Sequence, residues 1–209
     1  VRRIVCLIAL AFAAGCSSKP ADGPRTAAPT APAATDPNQP QVQNADYANW
    51  KQFPVGTTVV RKAVTARDGN STTSVETFRL AAVGDTEIAV DRQNTTSRSD
   101  GSLLQTNPSD TRKFPKSFAL PTGMTADDFQ KPSMKAKLTG QEVLEIAGKK
   151  YATTVYQWTD PTEAGEMKVT VWVSPEVPGR IAKQTMVVEK TATTTLETVQ
   201  TITIPAAKP

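Results

Sequence analysis

The chain has no histidine, and both of its cysteines, Cys6 and Cys16, lie at its very start. Downstream of Cys16 this removes Ser–His and Cys–His nucleophile pairs, histidine metal sites, thiolate ligands and disulfides. No glycine-rich phosphate loop occurs, and Ser133-Met134-Lys135 lacks the spacing of a serine–lysine acylating pair. Long apolar runs are also missing. The longest, residues 4–14, is about eleven residues, roughly half of what a bilayer-spanning helix requires.

That short run has a different meaning. Arg2 and Arg3 precede it and small residues end it, in the order of a secretory signal. Ala13-Ala14-Gly15-Cys16-Ser17-Ser18 then resembles the lipobox of bacterial lipoproteins, with Ala13 where leucine is usual. The resemblance implies removal of residues 1–15, a diacylglycerol thioether on Cys16 and N-acylation of the same residue. Ser17, in place of an aspartate, implies the outer membrane if the organism has one. Val1 is then expected to be a start codon read literally. Ordinary cleavage after Ala11-Phe12-Ala13 is the alternative, and it leaves Cys16 a free thiol.

Losing Arg2 and Arg3 leaves 24 minus 2 basic residues against 20 acidic ones, so the formal charge falls from +4 to +2. The basic residues are scattered among acids rather than massed on a stripe, which argues against a nucleic-acid partner. Residues 16–45 are rich in Pro, Ala and Thr and almost without large apolar side chains. They form a lipidated N-terminus and a tether predicted to stay disordered.

A single β-rich domain is predicted over residues 46–205. Tyr47, Trp50 and Phe53 recur at three-residue spacing, the pattern of a short helix capped by Asn44 or Asp46 and stopped by Pro54. Beyond it, strands are expected over 57–65, 72–82 and 87–98, with Arg67-Asp68-Gly69-Asn70 as a type I′ hairpin turn. Connections this short make neighbouring strands antiparallel. From 103 to 132 the prolines Pro108, Pro115, Pro121 and Pro132 are expected to permit only short edge strands and a helical turn starting at Thr125. Strands follow over 134–139, 142–147, 150–159, 168–174, 180–190 and 194–204, with breaks at Gly140, Gly148, Asp160-Pro161 and Pro175 to Gly179.

Alternation along 150–159 and 168–174 predicts that Tyr156, Trp158 and Trp172 share one face, opposite Val169, Val171 and Val173. With Tyr151, Tyr156, Trp158 and Trp172-Val173-Ser174, this meander resembles the half-barrel sheets of LolA/LolB-type carriers. The resemblance implies a strongly curved antiparallel sheet, with one or two short helices covering it, around an apolar concavity. Tyr156, Trp158 and Trp172 are then the candidate cavity lining. Leu103-Leu104 is expected either at a loop tip or as a buried strand start. Asp160, Glu163 and Glu166 read as a solvated acidic loop, and Asp127 and Asp128 as helix-start carboxylates.

The expectation is a mainly β, exported envelope protein, anchored to the membrane by its N-terminal lipid. It has no catalytic residue, metal site or cofactor, acts as a monomer, and serves as a non-enzymatic interaction or structural module. Its partners are envelope proteins or a hydrophobic ligand. The alternative is a half-barrel carrier that shelters an acyl chain or lipidated peptide.

Overall fold

The computed structural model describes residues 39–206. Cys16, the signal and most of the expected tether lie outside the described residues. Order starts earlier than the sequence suggests: β1 (Gln41–Gln43), inside the stretch read as tether, pairs antiparallel with β6 (Ser117–Ala119).

Helix α1 (Ala45–Trp50) follows immediately, and Asn44 caps it, its Oδ1 accepting from the amides of Asp46 and Tyr47 at 3.0 and 3.4 Å. These bonds satisfy two of the free amides of the first turn. Tyr47 and Trp50 turn inward and are almost fully buried, as their spacing predicts.

The remaining strands form a nine-stranded antiparallel sheet: β2 (Thr58–Arg67), β3 (Asn70–Val83), β4 (Glu87–Arg98), β5 (Leu103–Pro115), β7 (Lys137–Ile146), β8 (Lys149–Thr162), β9 (Gly165–Val173), β10 (Ile181–Val188) and β11 (Thr193–Thr203). Its order is β5-β4-β3-β2-β11-β10-β9-β8-β7. The chain therefore runs as two meanders, and the last strand closes beside the first long one through nine residue pairs from Thr194↔Ala66 to Thr203↔Thr58. The β2–β3 turn has Asp68 and Gly69 at φ of +50° and +77°, the two positive values that a type I′ hairpin requires.

Three expected breaks are not breaks. Gly140 lies within β7, where a bulge between Leu138 and Gly140 absorbs one residue and pairing with β8 resumes. Pro161 lies within β8, which continues to Thr162. β7 stops opposite Gln157, so no neighbour on that side needs the missing proline N–H. Pro108 lies within β5, a 13-residue edge strand, at the register shift between Asn107 and Asp110. An edge strand tolerates a missing donor that a central strand would not.

α2 (Ala126–Gln130) starts where expected. The Asp128 carboxylate accepts from the Thr125 amide and hydroxyl at 3.0 and 2.9 Å, which holds its pKa below the usual carboxylate value.

The main core joins Tyr47 and Trp50 of α1 to Val59, Leu80, Ile88, Val90, Ala182 and Val199 of the sheet and to Val177 of the β9–β10 loop. Burying each Val, Leu or Ile side chain contributes about 1.5–3 kcal/mol. A second cluster holds Val169, Val171 and Val173, flanked by Tyr156, Trp158, Met167, Ile181 and Met186.

Candidate functional site

Strand register decides which side chains meet. Tyr156 stands opposite Val171 and Trp158 opposite Val169, whereas Trp172 stands opposite Val155. Side chains of directly paired residues share a face, so the expected trio splits. Tyr156 and Trp158 lie with the valines, and Trp172 lies on the other side. The error came from assuming a regular loop between two strands whose hairpin is tighter, Thr162 pairing with Gly165.

Trp172 donates from Nε1 to Glu142 at 2.7 Å and carries the Lys183 ammonium 4.2 Å above its ring. Trp158 donates from Nε1 to Asp160 at 2.8 Å, and Asp160 also holds Lys135. Those two bonds keep the Asp160 pKa low, the Lys135 bond being the larger cause. Asp160 is thus engaged by its neighbours, and no cluster of three or more potential metal ligands occurs among the described residues.

A polar network that the sequence reading missed crosses the face carrying Val59. Pairing places Arg61 opposite Glu76, and Glu76 opposite Asn94. Glu76 Oε1 accepts from Arg92 Nε at 3.1 Å and Asn94 Nδ2 at 3.0 Å, and Asn94 Oδ1 accepts from Ser74 Oγ at 3.0 Å. The Arg61 guanidinium stacks 4.9 Å from the Phe78 ring centre, lies 3.5 Å from Glu197 and donates to Gly179 O at 3.3 Å. Its Nε is buried without a hydrogen-bond partner among the described residues.

Burial raises the Glu197 pKa, offset in part by Arg61, and burial also raises that of Asp46 on α1, offset in part by Arg180 and Arg61. Alternation of charged residues with threonines along β2, β3 and β11 was the only sequence signal for this network. An exposed strand face has the same signal.

Two cavities among the described residues reflect this chemistry. One, of about 250 Å³, is lined by Arg92, Asn94, Asn107, Pro108 and Asp110. The other, of about 200 Å³, lies among Asp46, Phe118, Phe129, Lys131, Arg180 and Ile181. Neither includes Tyr156, Trp158 or Trp172. Ligand pockets of roughly 300–1,000 Å³ with mainly apolar walls are the rule for small-molecule sites. Leu103 and Leu104, expected at a loop tip or buried, are exposed at the start of β5.

No family model matches the chain, and no curated protein matches it. Among solved structures, a Bacteroides fragilis protein with a YmcC-like fold aligns with a TM-score of 0.45 and 13% identity over 72% of this chain and 97% of that one. The MucA/MucB complex of Pseudomonas aeruginosa aligns at 0.41 and 15%, over 79% and 58%. Lipoprotein LppX of Mycobacterium tuberculosis aligns at 0.38 and 13%, over 78% and 97%. These likenesses concern strand layout and carry no functional argument.

Proposed function

We propose that the chain is a lipid-anchored cell-envelope lipoprotein whose sheet domain is a non-enzymatic interaction module. The supporting observation is the polar network on the Val59 face. Arg61, Glu76, Arg92, Asn94 and Glu197 occupy the surface that an acyl-chain carrier would need apolar. α1 and the β9–β10 loop fill the apolar end with Tyr47, Trp50 and Val177. A hydrocarbon ligand would have to displace these ion pairs without replacing their bonds, a cost that buried charges impose steeply. The sheet's hydroxyl, amide and ionic groups suit instead a polar protein surface.

The anchor rests on Arg2, Arg3, the apolar run and Cys16, and the Cys16 lipid is the membrane partner. Intact mass of the mature chain extracted from membranes is expected to show acylation at residue 16. Cys16→Ser is expected to abolish palmitate labelling and release the protein into the soluble fraction. Native mass spectrometry of the extracted domain is expected to show no stoichiometric lipid besides the covalent one. A retained acyl ligand would overturn the module reading in favour of the carrier.

A further inference from the structure

The described chain enters at Gln39, whose side-chain Nε2 donates to Leu120 O at 2.9 Å, and passes through β1 alongside β6. At this corner Phe118 of β6 packs 5.9 Å from Phe129 of α2, and Arg180 donates to Gln130 O. From α2 the chain continues as Lys131-Pro132-Ser133-Met134-Lys135-Ala136-Lys137-Leu138. Met134 is 59% exposed and Leu138 64%, four and eight residues beyond the end of α2, and Phe118 on the strand that α2 packs against is 37% exposed. Leu138 lies opposite the half-buried Tyr156, two residues along β8 from the half-buried Trp158. Lys131 and Lys135 are paired with Asp128 and Asp160, whereas Lys116 and Lys137 form no ion pair among the described residues.

We propose that this corner, with Met134 and Leu138 as insertion points and Lys116 and Lys137 as the cationic contacts, is a docking surface for an anionic phospholipid bilayer. The inference rests on the tethered-envelope reading for its biological setting, but not for its physics. Exposed apolar side chains beside ammonium groups suit the headgroup boundary, where hydrocarbon burial and attraction to anionic lipid act together. Tyr and Trp side chains are suited to the same depth.

The place of chain entry favours this corner over the other exposed leucine pair. Leu103 and Leu104 begin β5, and at about 3.3 Å per residue they lie roughly 40 Å along that strand from β6. The 22 residues between Cys16 and Gln39 fix no orientation of the sheet by their length alone. A weak second contact beside the tether's entry would orient the sheet, because linkage makes that contact intramolecular.

The test uses the mature chain from residue 16 with Cys16→Ser, which has no other cysteine. An environment-sensitive fluorophore is attached to Leu138→Cys or, as the control at equal exposure on the opposite sheet edge, Leu103→Cys. With vesicles of phosphatidylcholine and phosphatidylglycerol, the label at 138 is expected to shift to the blue and to be quenched by bromine-labelled acyl chains. The label at 103 is expected to do neither.

The pair Met134→Ser and Leu138→Ser, read by co-sedimentation, is expected to weaken vesicle binding about tenfold. Lys116→Glu with Lys137→Glu is expected to do the same and to remove the salt dependence. Equal response at 103 and 138, or no response at 138, overturns the proposal. So does a response at 138 that grows with protein concentration in the absence of vesicles, which would mark an interface between copies. Acylation at Cys16 is read separately by mass, so failure of the anchor and failure of this surface are distinguishable.

Discussion

At the scale of single residues, Asn49 joins two parts of the chain that sequence places far apart. Only 4% exposed, it donates from Nδ2 to Pro175 O at 2.8 Å and accepts from the Gly179 amide at 2.7 Å, tying α1 to the β9–β10 loop. Asn49→Ala removes both bonds from a buried side chain and leaves the exposed Pro175 carbonyl and the half-buried Gly179 amide without it, and a loss of about 1–2 kcal/mol is expected in chemical denaturation.

Glu197 gives a pH signature. Its native pKa is raised above the ordinary 4.5, chiefly by burial. The folded state therefore binds its proton more tightly than the unfolded one, and the stabilising contribution is complete below about pH 4.5. It is lost as pH rises through the native value. Glu197→Gln removes this dependence. The stability of the wild type relative to the variant is expected to increase on acidification, as measured by thermal unfolding from pH 7 down to pH 4.

At the scale of elements, two glycines in turns separate backbone strain from crowding. Gly69, at φ +77°, has open space where a side chain would stand, so Gly69→Ala is expected to cost only about 1 kcal/mol. Gly179, at φ +76°, would place a Cβ 3.0 Å from Arg61 Nη2 and 3.4 Å from the Trp50 ring. Gly179→Ala is expected to cost clearly more and to change Trp50 fluorescence, which Gly69→Ala should leave unchanged.

The same contrast accounts for what the sequence showed. Asp68-Gly69 and the Asn44 and Thr125 helix starts were legible because their geometry is local. Gly140, Pro108 and Pro161 were misread because a glycine or proline breaks a strand only if a neighbour needs what it lacks. Neighbour identity is set by sheet order.

At the scale of the whole molecule, two meanders share one sheet because β11 returns to pair with β2. That closure brings Glu197 against Arg61 and sets the polar network beside the apolar core under α1. It also leaves β5 and β7 as the sheet's edges. Pro108, Arg112 and Lys113 on β5 and the bulge on β7 discourage edge-to-edge pairing with another sheet. Exposed Leu138 thus stands at an edge already unsuited to strand addition, consistent with a contact made by side chains.

Alternation of apolar and polar residues, turn composition and the absence of histidine, and of cysteine beyond Cys16, determined the β class, the antiparallel neighbours, the helix caps and the exclusion of histidine and thiolate chemistry from the sheet. Those properties depend on residues close together in the chain. Which of Tyr156, Trp158 and Trp172 share a face, where Arg61 finds its carboxylates and which leucines remain exposed were decided only by tertiary structure. A register shift of one residue reverses a side chain's face, and partners more than a hundred positions apart leave no periodicity in the sequence.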